Sequence, residues 1–355
     1  MSEISLPNLP ALLAGRRRIL VTGGAGFIGG AVVRRLLSES EALVFNLDKC
    51  GYASDLTSIE VLPQAEARHQ LLPVDLTDAA ATSAAMQQAD PDLVLHLAAE
   101  GHVGRSIEGP GAFIESNVSG TFHLLQAVRA HWEQLPEERR EHFRFHHIST
   151  DEVFGSLGAT GRFSETTPYD PRSPYSASKA ASAHQLQQQL RPLAISREAD
   201  SGGDPQGSGR RTDPPPWRWR QRARLALCGR PRGCAAAGGN PRHPRTGLLR
   251  WRPTGSVRTK RWWQRSAVRS MTYCPLVPPH SRLVTPVTDR PGHDRRYAID
   301  PTRISNELGW QPRHSFEEGL AATVAWYLGQ QKWCRQVREQ GGYGGGRLGV
   351  LAAAT

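Results

Sequence analysis

The sequence predicts an α/β fold built on a doubly wound parallel sheet, and three observations carry that reading. Short β-rich runs alternate with helical stretches from Arg18 to residue 182. The strands are nearly continuous in apolar residues, as strands covered on both faces must be. The first strand runs directly into a glycine-rich turn and a helix. Strand, helix, strand repetition of this kind places a sheet between two helical layers.

Taken in order, residues 1–16 read as a loose extension. Ile19-Leu20-Val21 forms the first strand, and Phe27 to Ser38 the helix after the turn. Leu43 to Leu47 is the second strand, a third apolar run closes at Asp75-Leu76, and Leu93 to Leu97 is the fourth. Phe113, Val118, Phe122, Leu125 and Val128 give Ala112 to His131 a helical period, and Phe143 to Ile148 is a further strand. A domain over 17–182 follows.

Gly23-Gly24-Ala25-Gly26-Phe27-Ile28-Gly29 follows a strand and opens a helix, the context that gives a spaced-glycine string meaning as a dinucleotide site. Gly23 permits the tight turn, Gly26 lets a pyrophosphate approach the backbone, and Gly29 lets helix and strand pack. Amides at the helix start, around Phe27 and Ile28, then meet the phosphate charge. Asp48, at the end of the second strand, can accept ribose hydroxyls and repel a 2′-phosphate, so NAD is expected over NADP. Asp75-Leu76 and Leu97-Ala98-Ala99-Glu100 end two further strands at the same crevice. The domain is Rossmann-like.

Charge is distributed unevenly. Residues 183–280 hold 19 Lys+Arg against 4 Asp+Glu, and the remainder 25 against 29. That basic segment is rich in Arg, Pro and Gly, contains five of the nine Trp, and sustains neither a helical nor a strand period. Disorder and an RNA-binding insert of interleaved Trp and Arg are two readings of it. Regular reading resumes at Arg282-Leu283-Val284, a helix is expected over Phe316 to Leu328, and residues 341–355 read as a frayed tail. The five Cys form no CxxC pair, so reduced thiols in a cytoplasm are expected, with no metal centre. No apolar run is long enough to span a bilayer.

Tyr175 and Lys179 lie four apart on one helical face, where the ammonium favours phenolate and makes a base for an alcohol proton. The same Lys can hold a nicotinamide ribose. Ser149-Thr150-Asp151-Glu152 follows a strand at the carboxyl edge of the sheet, where ligands of this architecture bind. Oxidising an alcohol needs no carboxyl pair. Elimination does, because one group removes a proton from carbon while the other protonates the departing hydroxyl. The competing reading of Asp151 and Glu152 is an Asx-turn and helix cap.

Together these residues resemble the dTDP-glucose 4,6-dehydratase family of extended short-chain dehydrogenases. Matching strings are Ile19 to Gly29, Asn46 to Lys49, His96 to Arg105, Phe113 to Thr121, Phe143 to Gly155, Ser173 to Ser182 and Asp289 to Asp300. The resemblance implies NAD as cofactor, held also by Lys49 and Ser116, and a smaller C-terminal substrate domain, of which 281–340 is the remnant. Gly101, Thr150, Asp289, Arg290, Pro291, Gly292 and His293 fall at substrate positions. It implies that Tyr175 takes the sugar 4-hydroxyl proton as hydride passes to NAD, with Thr150 holding that hydroxyl. Glu152 then removes the C5 proton, Asp151 protonates the C6 hydroxyl, and hydride returns to C6. The product is dTDP-4-keto-6-deoxyglucose, on the route to deoxysugars such as rhamnose. A homodimer through helices of the sheet domain is implied, with neither nucleic acid nor membrane as partner. A related nucleotide-sugar epimerase, decarboxylase or GDP-mannose-type dehydratase is the alternative.

Gly101 and Gly104 stand where the family carries Ser and Asp, and Phe154 where it carries Tyr. The larger departure is the basic segment. Read one nucleotide downstream, allowed codons for Pro216 to Pro231 can spell HGDGGNVRDWLYVDDH, resembling the family's YGDGxNVRDWLYVEDH. Residues 184–194 can likewise spell TNCSNNYGPWQ, and 247–253 AYCVGGQ. Three matches in one frame and in family order make residues 183–278 an expected out-of-frame translation. The substrate domain would then be disrupted and the literal chain poorly active.

Overall fold

The computed structural model describes residue 9, residues 13–199 and residues 290–340. Asp289, the run Arg282-Leu283-Val284, the basic stretch from residue 200 onward and the tail from Gly341 lie outside the described residues. Five strands, β1 (Arg18–Thr22), β2 (Leu43–Leu47), β3 (His69–Leu72), β4 (Leu93–His96) and β5 (Arg144–His147), form one sheet in the order β3-β2-β1-β4-β5. Every pairing is parallel. The order reverses direction at β1, and the crevice between the carboxyl ends of β1 and β4 is the place such sheets bind ligands.

Alternation along each strand supplies both layers. Leu20, Phe45 and Val94 face one side and pack with Ala85 and Met86 of α2 (Ala79–Ala89) and Leu124, Val128 and Trp132 of α3 (Gly120–Gln134). Ile19, Val21, Val44 and Leu93 face the other and pack on Val33, Leu36 and Leu37 of α1 (Phe27–Glu39). Leu13 joins this second core at 4% exposure. Beside it Arg16 is buried, donating to the carbonyls of His142 (2.7 Å) and Leu13 (3.0 Å). The packed domain therefore begins before the boundary that composition suggested at residue 17.

Two other elements differ from the sequence reading for local reasons. The third strand stops at Leu72, three residues short of Asp75, because Pro73 has no N–H to give the ladder. The helical run expected from Ala112 is interrupted: Pro110–Ile114 is α-helical, Glu115–Ser119 forms a π turn, and α3 continues from Gly120. Single π turns of this kind concentrate at functional sites. Helix α4 (Pro174–Ala199) carries Tyr175 and Lys179 and extends past Ser182, with Ala183 and Leu186 still buried. Ordered chain thus continues 17 residues into the segment marked as basic.

Candidate active site

The glycine turn is dictated sterically. Gly23 sits at φ +72°, and a Cβ there would lie 2.7 Å from the backbone N and Cα of Ala98 on the neighbouring strand end. A Cβ on Gly29 would strike the Gly23 carbonyl, so α1 can pack this close only with glycine at that position. The turn opens onto a cleft of about 500 Å³. Gly23, Gly26, Phe27, Ile28 and Gly29 line its β1 wall; Asp48, Lys49, Asp75 and Leu76 come from the β2 and β3 ends. Leu97, Ala98, Ala99, Glu100 and Gly101 follow β4, and Ser116 reaches in from the π turn. Each of these was selected from sequence, and they converge on one space.

The acidic end of β2 is organised before any ligand arrives. Asp48 Oδ2 accepts the Ala25 N–H at 3.0 Å, while Oδ1 accepts the Cys50 N–H (2.8 Å) and the Ser54 hydroxyl (2.9 Å). A carboxylate has about four acceptor positions, so one is left for a ribose hydroxyl. Across the cleft Lys49 Nζ donates to Glu100 Oε1 at 2.7 Å, and the Tyr52 hydroxyl donates to Glu100 Oε2 at 3.4 Å. The Arg105 guanidinium lies 3.8 Å over the Tyr52 ring. Burial opposes the Lys49 charge, but the Glu100 bond and charge raise its ammonium above the ordinary value. Sequence reasoning did not select Tyr52 or Arg105, since nothing local marks them.

Asn117, in the π turn, ties the two halves of the site together. Its Oδ1 accepts the Glu100 N–H at 2.8 Å, and its Nδ2 donates to the Glu100 carbonyl (3.0 Å) and to Ser178 Oγ (2.9 Å) on α4. Lys179, one residue on, is buried, and its Nζ donates to the Ile148 carbonyl at 2.8 Å. Burial pulls this ammonium down to about 8. Beneath it His96 bonds Thr22 (2.7 Å) and Thr121 (3.0 Å) and lies tilted against His147 at 5.1 Å between centroids. Burial first, and the Lys179 charge second, hold His96 down to about 3 and His147 well below its usual value. Both imidazoles are therefore neutral near pH 7, and the Lys179 floor carries no counter-charge.

Tyr175, half-buried, meets Phe113 edge-on at 6.3 Å. Ile148 lines the cleft, and Ser149 leads from it into Thr150 to Phe154. Thr150 is the N-cap of the short 3₁₀ turn Asp151–Phe154, its Oγ1 accepting the Glu152 N–H at 3.3 Å. The cap is thus Thr150 rather than either carboxyl group, and its hydroxyl proton is still available to donate. Asp151 is buried and Glu152 partly exposed, so the two carboxyl groups occupy unlike surroundings.

The returning C-terminal segment docks beside this pair. Leu157 N–H donates to the Arg296 carbonyl (3.0 Å), Phe163 to Ala298 (2.8 Å) and Asp300 to Phe163 (2.9 Å). Gly292, at φ +66°, lets the turn of Arg290, Pro291 and His293 pass against Arg172. These residues lie on the acid-pair side and do not line the dinucleotide cleft. Tyr297 packs on Val153 and Phe154 and donates to Asp294 Oδ2 at 2.9 Å. Its phenol is held far above the usual value by burial and then by the nearby Glu152 charge, which places Tyr297 within electrostatic reach of Glu152. Asp294 and Tyr297 went unselected because only the folded chain brings Tyr297, with Asp294 bonded to it, toward Glu152.

A family model described as GDP-mannose 4,6 dehydratase matches residues 20–191 and 256–323. The dTDP-glucose 4,6-dehydratase of Xanthomonas campestris pv. campestris (strain B100) is 40% identical over 356 residues, covering 93% of this chain and 98% of its own. The chain belongs to the dTDP-glucose 4,6-dehydratase family. Among solved structures, DesIV, a dTDP-glucose 4,6-dehydratase from Streptomyces venezuelae with NAD and TYD bound, matches with a TM-score of 0.67 and 29% identity, over 90% of this chain and 99% of its own. The dTDP-glucose 4,6-dehydratase of Bacillus anthracis str. Ames in complex with NAD matches with a TM-score of 0.63 and 25% identity, over 90% and 99% respectively.

Within this dTDP-glucose 4,6-dehydratase family chain, residues 192–255 are unmatched by the family model. They lie inside the basic segment, and the match resumes at 256, ahead of the boundary drawn from composition. At Gly101 a Cβ would meet nothing within 4 Å, so the cleft has open room where the family's Ser would stand.

Proposed function

We propose that this chain descends from, and in its correct frame is, an NAD-dependent dTDP-glucose 4,6-dehydratase, a hydro-lyase. The observation carrying this is the Asp151–Glu152 pair set at the strand end that also opens the dinucleotide cleft, with Lys179 bonded to Ile148 between them. Relatives bearing that name at 40% identity support the substrate class. The glycine cradle, the Asp48 acceptor and the Lys49–Glu100 pair suit an NAD dinucleotide. Asp48 would hold the adenosine ribose and disfavour a 2′-phosphate.

When bound, NAD supplies the hydride acceptor for sugar C4 and the donor for C6. The protein's own groups handle protons. Tyr175 takes the 4-hydroxyl proton, with Thr150 donating to that oxygen and Lys179 stabilising the phenolate. The ketone at C4 acidifies the C5 hydrogen, which Glu152 removes. Asp151, the buried member of the pair, delivers a proton to the departing C6 hydroxyl.

The frame reading is part of the proposal. Residues 183–278 are read as an out-of-frame stretch, supported by the three family-like strings in one alternative frame and by the unmatched 192–255. Asp289, outside the described residues, and Arg290 to His293 belong to the substrate side in the restored chain. Among the described residues no helix is long and apolar enough to cross a membrane. The free thiols of Cys50 and Cys334 suit the cytoplasm. Ile114 (46% exposed) and Phe122 (40%), on the outward side of the α3 region, support a homodimer through these helices. Resequencing the gene and assaying dTDP-glucose conversion tests the whole reading. Compensating corrections at the two ends of the shifted stretch are expected to give turnover to a 4-keto-6-deoxy product, with little from the literal chain. An unchanged frame with full turnover would defeat the frame assignment, and C4 inversion without loss of water would defeat the dehydratase.

A further inference from the structure

The C-terminal helices reach back to the glycine turn. Helices α5 (Phe316–Gly329) and α6 (Gln331–Gln340) are separated only by Gln330, whose N–H donates to the Trp326 carbonyl at 3.0 Å. Trp333 of α6 packs edge-on against Trp326, with ring centroids 5.0 Å apart. Its indole N–H donates to Asp55 Oδ2 at 2.8 Å, joining residues 278 positions apart. An indole nitrogen is a donor only, and donation to a carboxylate is charge-assisted.

Asp55 is itself a junction. Its Oδ1 accepts the Thr57 N–H (3.1 Å) and hydroxyl (2.7 Å), and its backbone N–H donates to the Ala25 carbonyl at 2.8 Å. Ala25 is the centre of the glycine turn, and its own N–H is taken by Asp48. The turn is thus gripped on both sides of one residue, Asp48 accepting the Ala25 N–H and the Asp55 N–H bonding the Ala25 carbonyl. Burial works against the Asp55 charge, but the bonds from Thr57 and Trp333 hold its carboxyl below the usual range. Neither Asp55 nor Trp333 lines the cleft.

We propose that Trp333 is a positioning residue for the dinucleotide, acting through Asp55 to fix the glycine turn against the incoming pyrophosphate. The inference rests on the NAD reading above and adds to it a dependence on the far end of the chain. A binding turn is only as well placed as the residues that hold it from outside. Trp333 gives α6 a role in cofactor affinity that the sheet domain alone does not supply.

The test is NAD binding by the whole chain, which does not depend on turnover. Trp333→Phe keeps an aromatic ring against Trp326 and removes the single donor. It is expected to weaken NAD by about fivefold, the scale of one net hydrogen bond, with the thermal midpoint lowered by no more than about 2–4 °C. Asp55→Asn is expected to weaken NAD comparably, and the double variant no further than Asp55→Asn alone, because the two act in series. Unaltered NAD affinity in Trp333→Phe, or losses that add in the double variant, would overturn the inference while leaving the dinucleotide site standing. Should Trp333→Phe lose its fold, Asp55→Asn decides alone, and unaltered affinity there overturns it. A wild-type chain that binds no NAD would overturn the dinucleotide reading and this inference with it.

Discussion

Glu152→Gln in the restored-frame chain is expected to cut turnover of dTDP-glucose by roughly 10²–10⁴-fold, the range for loss of a positioned general base. The amide keeps the size and the 3₁₀ turn but cannot take a proton. C4 oxidation precedes the step it blocks, so reduced nicotinamide should accumulate on the enzyme in a single-turnover experiment. Asp151→Asn should differ: removal of the C5 hydrogen persists while water loss slows. The contrast follows from the unlike settings of the two groups, one buried and one partly exposed beside Tyr297. Equal behaviour of the two variants, with no reduced nicotinamide in either, would show that the pair only caps its turn.

Lys179→Met should abolish C4 oxidation and yet change stability in the opposite sense. In the folded protein burial holds this ammonium down to about 8, against an ordinary 10.5. Between those values the unfolded chain binds the proton and the folded chain does not, so wild-type stability rises with pH across that window. Below pH 8 both states are protonated and the folded state carries the full penalty. The rise is worth roughly 3 kcal/mol at most, and Lys179→Met should lack it. Leaving the Ile148 carbonyl without its partner costs Met about 1–3 kcal/mol, so the gain at pH 7 is smaller than the slope suggests. Denaturant unfolding from pH 7 to 10.5 measures it. A variant that keeps the wild-type slope would show that Lys179 is not the buried cation described.

Much of this was legible in the chain because it is local. The apolar strands, the turn at Gly23 to Gly29 and the acid at Asp48 each follow from a few adjacent residues. The cleft residues chosen from sequence do gather, since most of them follow the carboxyl ends of strands in one parallel sheet, while Ser116 comes from the π turn. What escaped is what tertiary structure alone decides. The break at Glu115–Ser119 that turns Asn117 inward has no helix-breaking residue to announce it. Pro73 did announce the early end of β3, and was passed over in favour of the apolar run around it. Tyr297 reaches the neighbourhood of Glu152, and Trp333 reaches Asp55, across separations no sequence period can report.

The most direct measurement is the fate of the substrate hydrogens when the restored-frame enzyme turns over dTDP-glucose in deuterium oxide. The account predicts a 4-keto-6-deoxy product carrying solvent deuterium at C5, with the original C4 hydrogen now at C6. Product formed without deuterium at C5, or with the C4 hydrogen lost to solvent, would contradict it.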